Sequence, residues 1–463
     1  MTGPRLRILG AAFATVPGAR PHGASLQSMI DGLRGDLDLV TLKSEDLPHI
    51  KRIGDARMFR VPVGHAGEDE QRALYARAVA RQIEAEPYDV VHVLDPWAGV
   101  AAAERKPTRG YTLVYELTTF PEGDSLAWLE AHEATAAAAD RVLVATAASR
   151  TALTRSRALA GRVDVVRPGV DVGGYDWGAV GSFGVPRILF LGTFVPSRDV
   201  DTVLDAIARV SAHRKVRALF AGDRSPARRA ALRDEVERRG LDGVVDVRGE
   251  PAAAKLPAIV AAADVCLAPS AGRLAAGCAE LPQPLLEYLA CHRPVVAAAV
   301  PGVDELVRDE VEALLYPPGD PAALADAILE VLRDATLRER ITGAGYRRVR
   351  DELSSGARRR HVRALYERIA PGSQLHDPWL EEFEEVTGLI ELETGALELL
   401  DATPDTGEGS LPPPRRRDID TAETESPAEP HVEGTRPRAP PPPPPPTDTS
   451  PGLVVPDTDP GRP

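Results

Sequence analysis

The sequence predicts an α/β protein made of two doubly wound, parallel-sheet domains that face each other across a cleft, followed by an acidic tail. Three observations predict this. Short apolar runs alternate with longer segments of helical periodicity, the signature of parallel strands covered by helices on both faces. A glycine-rich stretch (Gly169, Gly173, Gly174, Gly178, Gly181, Gly184) interrupts the alternation once, and the rhythm then restarts. Beyond residue 370 apolar periodicity gives way to proline, serine, threonine and glutamate. With 463 residues, of which 43% are hydrophobic, the chain has enough apolar surface for two cores.

In the first half, strands are predicted at 6–10, 37–42, 90–94, 113–116, 141–145 and 163–166, with helices at 25–34, 68–84 and 126–139. In the second half, strands are predicted at 188–191, 217–221, 244–248, 265–268, 294–298 and 313–316. Helices there span 201–211, 228–239, 255–263, 283–291, 321–333 and 356–369. The domains are therefore read as 1–180 and 181–370. A ligand is expected between the carboxyl ends of the two sheets, where such folds leave an open crevice.

Charge is unevenly distributed. Of the 69 acidic and 55 basic residues, 20 acidic and 6 basic ones fall in 371–463, which leaves 49 of each in the predicted fold. A neutral folded part carries no global field to draw in nucleic acid, so no nucleic-acid partner is expected. The tail, with its run of seven prolines at 440–446, is expected to be disordered. Within it, residues 379–400 interleave apolar side chains with glutamates, which suits either a motif that docks on a protein partner or on the chain's own domains, or a plain spacer. Cys266, Cys278 and Cys291 have no metal-ligand spacing and read as buried thiols in a reducing compartment. No apolar run approaches the ~20 residues that span a bilayer. The expected location is cytoplasmic, with a peripheral membrane contact left open.

The most informative stretch is 261–321. It presents in order Ala262-Ala-Asp-Val265, Pro284-Leu-Leu-Glu287, Ala290 near a helix end, Pro294-Val-Val-Ala297, Gly302-x-x-Glu-Leu306 and Pro317-Pro-Gly-Asp-Pro321. This succession resembles the donor-sugar module of family-four retaining glycosyltransferases, which have the GT-B fold. Further segments match along the chain. Gly192 and Arg198 fall in a strand–glycine–loop–cation–helix segment, and Gly249 and Glu250 follow a strand that precedes a base-contacting loop. Residues 164–171 match a crossover marker. On the amino-terminal side, 90–99 resembles the family's Val-His-x-x-Asp-Pro strand end, with Asp95 at the sheet's carboxyl edge facing the cleft, either as an acceptor contact or as a strand-end cap, and Gly23 lies in the loop after the first strand.

The resemblance implies transfer of a hexose-like sugar from a nucleotide-diphosphate sugar to an acceptor hydroxyl, with retention. The acceptor would be a carbohydrate, a lipid-linked sugar or a small molecule, as in polysaccharide biosynthesis. No cofactor and no metal are implied. The donor would be held by Gly192, Thr193, Arg198, Gly249, Glu250, Glu280, Leu286 and Glu287. In this set Glu287 would hold ribose hydroxyls, while Arg198 and the helix N–H groups near 283–286 would hold the diphosphate. Arg198 and Asp95 are the catalytic candidates; Gly23 and Thr118 stand on the acceptor side.

Three side chains depart from the family pattern. Thr193 replaces an arginine, Thr118 a histidine, and Ala279 stands where a first glutamate is expected, with Glu280 beside it. These losses keep a second reading open, in which the chain is a catalytically degenerate scaffold acting through its tail.

Overall fold

The computed structural model describes residues 6–15, 37–43, 47–53, 56–117, 125–175, 184–195, 199–270 and 281–370. The helix expected at 25–34, the tail at 371–463, and Gly23, Thr118, Arg198, Cys278, Ala279 and Glu280 lie outside the described residues.

The first sheet contains β1 (Ile8–Thr15), β2 (Leu37–Leu42), β3 (Ile50–Ile53), β4 (Ala56–Val61), β5 (Val90–Val93), β6 (Thr112–Leu117), β7 (Arg141–Val144) and β8 (Val163–Val165). Their order is β3-β4-β2-β1-β5-β6-β7-β8. Every pairing is parallel except β3 with β4, which closes one edge as a hairpin. The second sheet contains β9 (Arg187–Leu191), β10 (Arg217–Ala221), β11 (Val245–Val247), β12 (Val265–Ala268), β13 (Val295–Ala298) and β14 (Leu314–Tyr316). It is parallel throughout, in the order β11-β10-β9-β12-β13-β14. The central strands β5, β12 and β13 are buried along their whole length, as strands covered on both faces must be.

Helices α1 (Glu68–Ala85), α2 (Pro96–Arg109), α3 (Leu126–Ala138) and α4 (Ala147–Leu153) belong to the first sheet, and the short α5 (Val172–Tyr175) follows β8. The second sheet is served by α6 (Val200–His213), α7 (Pro226–Arg238), α8 (Leu256–Ala261), α9 (Gln283–Ala290), α10 (Val303–Leu306), α11 (Pro321–Arg333) and α12 (Ala335–Glu352). The chain then enters α13 (Ser355–Ile369).

The sequence did not anticipate the β3–β4 hairpin, the short helices α4, α5 and α10, or the longer α2 and α12. Helix α2 is masked in the sequence by prolines at both ends, yet Pro96 occupies its first turn, where a missing N–H costs nothing. Eight of the 18 residues of helix α12 are charged, and its buried Leu337, Ile341, Gly345 and Val349 recur only once per turn.

The sequence assigned 355–370 to the second domain, and the structure corrects this. Val362, Leu365 and Tyr366 of α13 are buried with Leu6, Ile8, Leu39, Met58 and Val114 of the first sheet. The chain therefore passes between the domains twice, and the two passages touch. The Val170 N–H donates to the Leu353 carbonyl at 3.0 Å, and the Ser355 N–H donates to the Val170 carbonyl at 2.9 Å. A Cβ on Gly169 would lie 2.9 Å from the Ser354 carbonyl oxygen, so only glycine permits this approach.

Candidate functional site

Because the second sheet is parallel, the loops after β9, β10, β11 and β12 all leave at one edge. Three glycines there form a continuous backbone floor. The Gly192 N–H donates to the Ala221 carbonyl at 2.9 Å, and the Gly222 N–H to the Gly249 carbonyl at 3.3 Å. Gly222 has φ +121°, and a Cβ on it would sit 2.8 Å from the Gly192 nitrogen. Gly192 and Gly249, both singled out in the sequence, thus meet through a third glycine that was not.

Asp223 follows it and is the second residue that sequence reasoning missed; the signal was a strand ending directly in Gly-Asp. Its side chain is fully buried. One carboxylate oxygen accepts from the Phe194 N–H at 2.7 Å and from Arg228 Nε at 2.8 Å, and the other accepts from the Ser225 N–H at 2.8 Å. Burial alone would push this carboxyl up, but the Arg228 bond and the two N–H bonds outweigh it and hold it below the usual carboxylate range. Asp223 therefore fixes the turn that carries Gly192, Thr193 and Phe194.

Helix α9 joins the same edge. Among the described residues, no side chain caps its amino end at Pro282. Gln283 Nε2 lies 3.4 Å from the Gly169 carbonyl, which ties the helix start to the crossover. The Leu191 N–H donates to the Tyr288 hydroxyl at 2.9 Å, pinning α9 to the end of β9 next to Gly192. Glu287 lies between these two anchors and is buried, 4% exposed.

Two donor candidates have side chains engaged within the protein. Leu286 has no exposed surface and belongs to the second core, so only its backbone is available to a ligand. Glu250 is paired with the Arg224 guanidinium. Thr193 is partly exposed at the rim. Arg229 donates to the Asp223 and Arg224 carbonyls at 2.8 and 2.7 Å, and a Cβ on Gly249 would lie 3.7 Å from its guanidinium carbon. A cluster of arginines (224, 228 and 229) thus borders the glycine floor.

On the first domain, Asp95 sits at the carboxyl end of β5 and caps α2. It accepts from the Ala98 N–H at 2.8 Å, the Phe13 N–H at 2.7 Å and the Tyr75 hydroxyl at 2.9 Å. Burial raises its pKa to about 6 against those three donors. Its carboxylate oxygens thus join β1, α1 and α2, which is the capping role that the sequence left open beside an acceptor contact. Trp97, two residues on, is partly exposed beneath the Arg72 guanidinium, whose carbon lies 4.5 Å from the ring centroid. Among the described residues, no helix is long and apolar enough to cross a membrane.

Comparison with known proteins gives the following. Residues 18–169 match the family described as "Glycosyl transferase 4-like domain", and residues 185–334 match "Glycosyl transferases group 1". The chain is 34% identical over 174 residues to a phosphatidyl-myo-inositol mannosyltransferase of Mycobacterium leprae, covering 36% of this chain and 44% of that one. It thus spans less than half of that relative's length. It is 30% identical over 324 residues to a D-inositol 3-phosphate glycosyltransferase of Nocardioides sp., covering 60% of this chain and 68% of the relative. Among solved structures, Anabaena HepE in complex with UDP and glucose superimposes with a TM-score of 0.64 at 20% identity, covering 78% of this chain and all of that one. From these matches and the two facing parallel sheets, the chain belongs to the family-four-like glycosyltransferases with the GT-B fold.

Proposed function

We propose that this protein transfers a hexose-type sugar from a nucleoside-diphosphate sugar to an acceptor hydroxyl with retention at the anomeric carbon. One observation carries the proposal: buried Glu287 stands on a helix whose amino end is capped by no side chain among the described residues, and Tyr288 pins that helix to the glycine floor. A carboxylate at that depth suits ribose hydroxyls, and free N–H groups at the helix start suit a diphosphate. The UDP in the HepE complex makes a uridine nucleotide the first donor to test.

In this reading the glycine floor lets backbone approach the nucleotide, while Arg198 and the start of α9 take up the charge that develops on the leaving phosphate. A phosphate oxygen on the attacked face accepts the acceptor's proton, so no protein base is needed there. Asp95 holds β1, α1 and α2 in register beneath the acceptor side. The reading invokes no metal and no further cofactor.

Thermal-shift measurements with UDP-, GDP- and ADP-glucose test it. One nucleotide sugar should raise the melting temperature, and Glu287→Ala should abolish that shift. No shift with any of the three, or an undiminished shift in Glu287→Ala, would falsify the donor assignment. A scaffold would neither bind nor hydrolyse a nucleotide sugar.

A further inference from the structure

The first turn of α4 is capped by both domains. Thr146, at its N-cap, is fully buried and accepts from the Ser149 N–H at 2.9 Å. The next two N–H groups to be satisfied belong to Ala147 and Ala148, and both donate to Glu305 of the second domain, at 2.7 and 2.8 Å. Each carboxylate oxygen of Glu305 takes one of them. Helix α4 follows β7, and α10, which carries Glu305, follows β13. Both sheets are parallel here, so the contact joins the two carboxyl edges that border the cleft.

Local geometry aims this side chain. Gly302 starts α10 with φ +100°, and its N–H donates to Asp304 Oδ1 at 2.9 Å. The bend turns the single helical turn of α10 so that Glu305 reaches across, while Val303 and Leu306 anchor it in the second core. Neither partner in the contact belongs to the crossover at 169–170 and 353–355, where the chain passages touch.

We infer that Glu305 is a positioning residue: a latch that holds the two domains at their working separation and releases to open the cleft. The inference rests on the transferase reading for its purpose. Three features suit a reversible contact. The carboxylate bonds are charge-assisted and placed at the positive end of a helix, so the closed state is well held. The amides it leaves are part-buried and water can take them over, so opening strands no buried donor. The crossover supplies a fixed line about which the domains can turn.

Native-state hydrogen exchange on the full chain tests the latch without depending on activity. In Glu305→Ala, the Ala147 and Ala148 amides should exchange at least tenfold faster, with β5 and β6 unchanged. Glu305→Gln keeps one accepting oxygen and should fall between. Equilibrium UDP affinity should stay within twofold of wild type, because the donor loops lie wholly in the second domain, while kcat drops tenfold or more. Unchanged exchange at both amides in both variants overturns the latch, and so does a uniform acceleration across the first domain. Should wild-type protein transfer no sugar, the transferase reading fails while the exchange result still decides whether the latch exists.

Discussion

Helix α13 carries Arg358, which binds Glu116 of β6 through two bonds of 2.7 and 2.8 Å. Both side chains are buried, at 2% and 5% exposure. Glu116 also lies 3.2 Å from His92 Nε2, and His92 Nδ1 is 2.6 Å from the Tyr366 hydroxyl on α13. A second Arg358 nitrogen donates to the Arg167 carbonyl at 3.2 Å. Arg358→Met keeps the stem and removes the charge, depriving the buried Glu116 carboxylate of its guanidinium partner. Opposite unit charges ~4 Å apart at an effective dielectric of ~20 attract by about 4 kcal/mol, and breaking buried pairs by removing one partner costs about 3–5 kcal/mol. We therefore expect Arg358→Met to lose about 3–5 kcal/mol in the first domain. Urea unfolding, with exchange of the β5 and β6 amides assigning the transition, measures it. The double variant Glu116→Gln/Arg358→Met should recover part of the loss, since no lone charge remains. A loss below about 1 kcal/mol in Arg358→Met would refute the claim that this pair anchors α13.

The same pair sets a pH dependence. Burial pushes the Glu116 carboxyl up, but the Arg358 guanidinium and His92 hold it well below its ordinary value. A depressed folded pKa means that its contribution is present above the ordinary glutamate range and drains away as pH falls beneath it. Melting temperature should therefore drop below about pH 4 in wild type, and less so in the Glu116→Gln/Arg358→Met variant.

Two further outcomes follow from the site geometry. Asp95 has the opposite sign: burial raises it from 3.8 to about 6, so its contribution is largest at low pH and is withdrawn as pH rises through 6. Asp95→Ala should thus cost more at pH 4 than at pH 8, by up to about 3 kcal/mol, in chemical denaturation at the two pH values. A pH-independent cost would contradict this. Gly222→Ala forces a side chain into the left-handed half of backbone space and against the Gly192 nitrogen, a clash that only backbone movement relieves. It should abolish any thermal shift given by the donor even where the protein still folds, and an undiminished shift would show that the glycine floor plays no part in binding.

Much of the second domain was legible in the sequence because its punctuation is local. Pro284 in the first turn of α9, Pro294 before β13 and Asp320 capping α11 each act within a turn of themselves. Their order along the chain was enough to name the fold and point to Glu287. Where identity alone misleads, a distant contact is the reason. His292 adopts φ +52° after α9, a conformation ordinarily left to glycine, while its ring stacks on Tyr346 of α12 at 3.8 Å between centroids. That stacking partner lies far along the chain and no local pattern announces it.

What the sequence by itself determined is the alternation of strands and helices and the division into two parallel-sheet domains, consequences of short-range periodicity and turn chemistry. Tertiary structure alone decided that α13 returns to the first sheet, that Asp95 spends its charge on three neighbours, that Gly222 and Asp223 complete the floor, and that Glu305 caps a helix in the other domain. Each of these depends on groups brought together from distant parts of the chain, and burial and pairing set what a charged side chain does only after the fold has chosen its neighbours.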